Sequence, residues 1–130
     1  MPTKNQPVGE DVESTWEEKA KTPPFLLTLE MLNHKVHNCL VDSGSSVNVI
    51  PLIVCKKING KPKPMAWEVI QLDRTSVKVV GEMKNVLIRL SANNKICQFI
   101  DIMVADIPDG YGLILNRDWS ARLKVYFALD

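Results

Sequence analysis

Asp42-Ser43-Gly44 is the segment of this chain best equipped for chemistry. Asp, Ser and Gly all favour turns, so the tripeptide alone fits an ordinary loop. Its surroundings argue for more. Cys39-Leu40-Val41 precede it and Val47-Asn48-Val49-Ile50 follow it, placing a carboxylate where an apolar, strand-like run turns sharply. A carboxylate there must be paired, hydrogen-bonded or neutralised, because a lone buried charge is costly. Ser43 offers a hydroxyl donor to the acid or its loop, and Gly44 allows close backbone approach. An acid held in this way is equipped for proton transfer.

Other reactive residues give weaker patterns. His34, His37 and Cys39 form H-x-x-H-x-C. On a strand, residue 34 faces away from 37 and 39, so the three do not converge, and neither metal nor other cofactor is expected. The three cysteines, Cys39, Cys55 and Cys97, are odd in number and widely spaced. That argues against a disulfide framework and for reduced, half-buried thiols in a cytosolic protein. Sixteen basic residues nearly cancel fifteen acidic ones, for a net charge of +1. There is no electrostatic case for nucleic acid or a membrane surface, and Lys56-Lys57 with Lys61 and Lys63 read as a solvated patch. No apolar run approaches the roughly 18 residues that cross a bilayer. Residues 1–21 lack the basic start and apolar middle of a signal peptide, so a cytoplasmic location is expected.

The elements that must position Asp42 are mostly strands. Residues 1–22 are polar, with Glu10, Asp11, Glu13, Glu17 and Glu18, and read as a flexible leader. Pro23-Pro24 opens the single domain, residues 23–130. Strands are predicted over 25–32, turning at Asn33-His34-Lys35, over 36–41, and from Val47 into a helical turn ending near Lys57. Residues 68–72 and 76–80 flank a hairpin tip at Asp73-Arg74-Thr75, and residues 84–90 and 96–104 form a further hairpin. Leu113-Ile114-Leu115 leads into one late helix over 116–123, with Asn116 as its cap and Asp118 in its first turn. Val125-Tyr126-Phe127-Ala128-Leu129 reads as a last strand. The class is all-β, a small closed barrel or sandwich with one short late helix.

Leu40-Val41-Asp42-Ser43-Gly44-Ser45-Ser46-Val47-Asn48-Val49-Ile50-Pro51 resembles the active-site segment of retropepsins, especially those of gypsy-type long-terminal-repeat retrotransposons. The second hallmark of that family is an apolar pair, a glycine, then arginine and an acid or amide opening a late helix. Leu113-Ile114-Leu115-Asn116-Arg117-Asp118-Trp119 matches it in the expected order. Two departures stand out. Asn116 replaces the usual glycine, and asparagine is the next most tolerant residue of a left-handed turn. Ser46 stands where retroviral relatives have an acid that pairs with the arginine, so Arg117 is expected to bind backbone carbonyls or another acid.

The resemblance implies a retropepsin-like barrel, half of an acid protease, active as a two-fold homodimer. Peptide hydrolysis of this type needs two aspartates sharing one proton. The chain carries one Asp-Ser-Gly, so Asp42 from each subunit would meet at the axis. Asp42, Ser43 and Gly44 are the implied catalytic segment, with Arg117 and Asp118 supporting it. Ser45 and the flap residues Leu72, Asp73, Arg74 and Thr75 would bind an extended polypeptide. The 125–129 strand would join the dimer sheet. The implied activity is endoproteolysis of a retroelement Gag-Pol-type polyprotein in the cytoplasm or within retroelement particles. The alternatives are a non-cleaving dimerisation or protein-binding module on the same fold, and a generic β-domain whose Asp-Ser-Gly is a turn.

Overall fold

The computed structural model describes residues 26–65, 69–72 and 75–127. The expected leader therefore lies outside the described residues. Eight strands and two helices follow in order: β1 (Leu26–Met31), β2 (His34–Val41), β3 (Asn48–Pro51), α1 (Leu52–Lys57), β4 (Lys63–Pro64), β5 (Val69–Leu72), β6 (Thr75–Leu90), β7 (Asn93–Ala105), β8 (Leu113–Leu115) and α2 (Arg117–Phe127). Six strands close into a barrel in the order β1-β2-β8-β3-β7-β6, with β6 returning to β1 at Leu29↔Leu90. Closure leaves no free edge along the main ring.

The β1–β2 hairpin turns at Leu32-Asn33, with Met31 opposite His34. Both turn residues have positive φ, 50° and 63°, the geometry whose twist matches the flanking strands. The turn thus sits one residue ahead of its predicted place, because Leu32 takes up a left-handed conformation. Alternation along β1 buries Leu29 and Met31, while on β2 an irregularity at Asn38, φ 57°, brings both Val36 and Cys39 toward the core although they are three residues apart.

The strands around the predicted catalytic loop are paired in parallel. β8 runs parallel to β2, with Cys39↔Leu113, Leu40↔Ile114 and Val41↔Leu115, and it touches β3 on its other side. β3 runs parallel to β7 from Asn48↔Ile102 to Pro51↔Ala105. Strands in this position are covered on both faces, which is why 113–115 is apolar without alternation and wholly buried. Gly112 is required at the entry to β8. A Cβ there would fall 2.3 Å from the His37 carbonyl oxygen and 2.6 Å from Val36 Cγ1.

β6 is one strand of sixteen residues, where the sequence suggests two. Register shifts at Val79/Gly81 and Met83/Val86 let it bend from the β5 hairpin into the barrel wall. Asn85 sits in the second shift with φ 53° and donates its N–H to Asp101 Oδ1 at 2.9 Å. α1 ends in a Schellman motif: Gly60 N–H reaches the Cys55 carbonyl, Asn59 N–H reaches that of Lys56, and Asn59 has φ 59°.

The late helix is longer than predicted. It runs to Phe127, so residues 125–127 are helical rather than strand, and 128–130 lie outside the described residues. Trp119 and Leu123, one turn apart, are each 1% exposed and seat the helix on the core. Arg122 lies over the Trp119 ring, 5.6 Å from its centroid, and donates to Gln98 Oε1 on β7. The β-branched and aromatic composition of 125–127 yields to continuation of this docked helix, and Val125 faces solvent. Residues 125–127, being helical, do not form the strand expected to join a dimer sheet.

Candidate active site

Asp42 is delivered by the end of β2. Its N–H donates to the Leu115 carbonyl at 2.9 Å, continuing the ladder to β8. The chain then turns, with Ser45 N–H on the Asp42 carbonyl at 3.1 Å and Gly44 N–H on Asp42 Oδ1 at 2.8 Å. The carboxylate is half-buried and anchored by a backbone donor, the arrangement that holds an acid in one orientation. A Cβ on Gly44 would lie 3.3 Å from Asp42 Oδ1, so even alanine would press on the acid. Ser43 is exposed beside it.

Two further ties fix the loop. Ser45 is 3% exposed; its hydroxyl donates to the Val47 carbonyl at 2.6 Å and its carbonyl accepts the Arg117 N–H at 2.9 Å. Asn116 N–H donates to Asn48 Oδ1 at 2.9 Å. The cap and first residue of α2 therefore hold the Asp42 loop through their backbone. Arg117 is exposed, and among the described residues its guanidinium makes no ion pair or hydrogen bond. The contact expected of its side chain is supplied by its N–H instead. Asn116 is not among the residues with positive φ. It acts as the predicted cap, its Oδ1 accepting the Trp119 N–H at 3.4 Å, and no left-handed turn is needed. Asp118 lies exposed in the first turn of α2, where a negative charge suits the helix dipole.

A β5–β6 hairpin stands at the segment expected to form a flap. β5 and β6 pair from Val69↔Lys78 to Leu72↔Thr75. Its tip residues Asp73 and Arg74 lie outside the described residues, as do the side chains of Leu72 and Thr75. Ile70 and Val77 pack with Val47, Ile107 and Tyr111 around buried Val49, Ala105 and Ile114. This second apolar cluster, separate from the main core, joins the β5–β6 hairpin to the segment that follows Asp42. Ile107 and Tyr111 escaped the sequence reading, because their loop shows no periodicity.

The cysteines are not nucleophiles at ordinary pH where they are buried. Burial pushes the Cys39 thiol up to about 12 and that of Cys55 upward as well. Cys97 is exposed rather than half-buried. His34 and His37 are engaged locally, at the Leu32 carbonyl and Thr28 Oγ1. Among the described residues no cluster of His, Cys, Asp or Glu is arranged to hold a metal ion, and no helix is long and apolar enough to cross a membrane.

Solved structures supply the comparison for this fold. EIAV protease complexed with the inhibitor HBY-793 superposes with a TM-score of 0.59 over 78% of this chain and 88% of its own, at 18% identity. The retroviral protease-like domain of Ddi1 from Leishmania major matches with a TM-score of 0.56 over 78% of this chain and 76% of its own, at 13% identity. No protein-family model and no curated protein sequence matches the chain. At such identities the likeness is one of architecture. The fold is retropepsin-like: a closed six-stranded barrel, with Asp42 at the turn where β2 leaves it.

Proposed function

We propose that the chain is an aspartic endopeptidase that works as a two-fold homodimer, each subunit contributing one Asp42. The observation carrying this reading is a half-site. Asp42 stands on a retropepsin-like barrel, its Oδ1 held by the Gly44 N–H, in a chain with a single Asp-Ser-Gly. Two such carboxylates brought together cannot both ionise, so they share a proton. The ionised one takes a proton from water as its oxygen attacks the scissile carbonyl carbon, and the protonated one donates to the carbonyl oxygen. Collapse of the tetrahedral intermediate, with protonation of the leaving nitrogen, breaks the C–N bond.

The flap hairpin would lie over an extended polypeptide and exclude water. Val47, Ile70 and Val77, half-buried around Val49, would give the cleft between loop and hairpin an apolar wall and favour apolar residues beside the scissile bond. In this reading Ser45 serves the loop rather than the substrate, because its hydroxyl is buried against Val47. The motif resemblance points to a gypsy-type retroelement polyprotein of the Gag-Pol kind as substrate, met in the cytoplasm or in retroelement particles. Asn116, the departure from the family's glycine, caps α2 and so gives no ground for preferring a non-cleaving module. The test compares wild type with Asp42→Asn on a longer precursor and on a peptide library. Cleavage should vanish in the variant while the fold persists, and persistent cleavage would refute the assignment.

A further inference from the structure

Among the described residues, the buried polar side chains are Ser45 and Asn48, one inside the catalytic loop and one just after it. Asn48 is 7% exposed and uses both ends of its amide across long sequence separations. Oδ1 accepts the Asn116 N–H at 2.9 Å, and Nδ2 donates to the Asp101 carbonyl at 3.1 Å. A buried amide is costly unless it is satisfied, so this orientation is enforced from both sides. Asn116 N–H precedes the Arg117 N–H that binds the Ser45 carbonyl. Asp101 in turn holds Asn85 in the β6 bulge through its carboxylate. A series of hydrogen bonds thus runs from the barrel wall through Asn48 to the cap of α2 and, by way of the next residue, Arg117, back to the loop carrying Asp42.

Resting on the protease reading above, we infer that Asn48 is a positioning residue, setting the height of the Asp42 loop by clasping the start of α2 to β7. Arg122 on Gln98 and the packing of Trp119 and Leu123 seat the later turns of α2, whereas at its N-terminal cap the tie to β7 runs through the Asn48 amide. β8 meets β3 at a single registered pair, Val49↔Ile114, so the junction that follows β8 depends on the Asn48 amide for lateral support. Asn48 does not act on substrate itself. Its effect reaches Asp42 through Asn116, Arg117 and Ser45.

The two ends of the amide can be separated by substitution. Asn48→Asp keeps the acceptor for Asn116 but, when ionised, faces the Asp101 carbonyl with an acceptor. When protonated, its hydroxyl restores the missing donor. The charged groups lining the adjoining groove of about 350 Å³ are Glu82 of β6, Asp101 of β7 and Asp118 of α2, all acidic, so they favour the protonated form. Asn48→Leu removes both bonds at similar volume.

The experiment measures kcat, KM and Tm for wild type and Asn48→Asp from about pH 4.5 to pH 7, with amide exchange on Asn48→Leu. Relative to wild type, kcat of Asn48→Asp should be about tenfold low at pH 7 and recover on acidification, with KM little changed. The amides of Asn116 and Arg117 should lose protection in Asn48→Leu while those of β6 and β7 keep it. A kcat ratio that is flat with pH, or an effect confined to KM, would overturn the inference. So would unchanged exchange at Asn116 and Arg117, and should Asn48→Leu fail to fold, the same amides are read in Asn48→Asp at pH 7. Absence of cleavage by wild type would sink the protease reading instead, and the exchange arm would still decide whether Asn48 clasps the loop.

Discussion

The proposed catalytic loop and the proposed flap hairpin meet on one apolar cluster but are built in opposite ways. The loop is held by non-local bonds: Asp42 to Leu115, Arg117 to Ser45, and Asn116 to Asn48. It hangs between β2 and β3, each paired in parallel with a further strand, β8 and β7 respectively. The flap is a local antiparallel ribbon whose described pairing runs only from Val69 to Lys78. Its half-buried contacts, Ile70 and Val77, are few. A two-stranded ribbon outside a barrel has little stability of its own. The contrast suits a site in which the acid must not move and the cover must.

The largest effect in this comparison belongs to the loop. Asp42→Asn should lower kcat by about 10⁴-fold or more, with Tm within a few degrees of wild type. The amide can still accept the Gly44 N–H, so the loop should survive; a matched loss of Tm would show that Asp42 is structural. Next comes Gly112→Ala, whose Cβ would collide with the His37 backbone as well as with the Val36 side chain. Denaturant unfolding should show a loss of about 3 kcal/mol. Alanine tolerated at 112 would mean that the β2–β8 ladder is looser than the 3.0 Å bond from Gly112 N–H to the Asn38 carbonyl implies.

The flap should answer differently. Ile70→Ala should cost about 1 kcal/mol of stability, since the side chain is only half-buried, yet raise KM several-fold. A KM unchanged by Ile70→Ala would remove the hairpin from the substrate path. The smallest effect is one of pH. The Cys39 thiol is raised from 9.0 to about 12 by burial, so the stability it contributes is full below 9 and is lost as pH climbs toward 12. Tm of wild type should fall across that window, and Cys39→Ala, though less stable at neutral pH, should fall less steeply. Equal slopes would mean that other groups carry the alkaline loss.

What could be read from the sequence follows the same divide between local and non-local. Asp42 was legible because an apolar run ending in Asp-Ser-Gly is a local pattern, and Leu113-Ile114-Leu115 because a strand covered on both faces needs no alternation. The cap at Asn116 was legible for the same reason. The continuity of β6 was not, because its register shifts depend on β7. Val125-Tyr126-Phe127 misled, since its composition favours strand while Trp119 and Leu123 commit the segment to a docked helix. Asn48 was hidden most completely. Its partners, Asp101 and Asn116, lie 53 and 68 residues away, and no local rule marks an asparagine that will be buried between them.

The most direct measurement is cleavage by mixtures of wild type and Asp42→Asn, equilibrated so that subunits exchange. If each site takes one Asp42 from each of two subunits, only wild-type pairs are active, and an equal mixture should retain about a quarter of the activity of wild type at the same total concentration. A loss in simple proportion to the wild-type fraction, about one half, would contradict the paired site and place the whole of the chemistry within one chain.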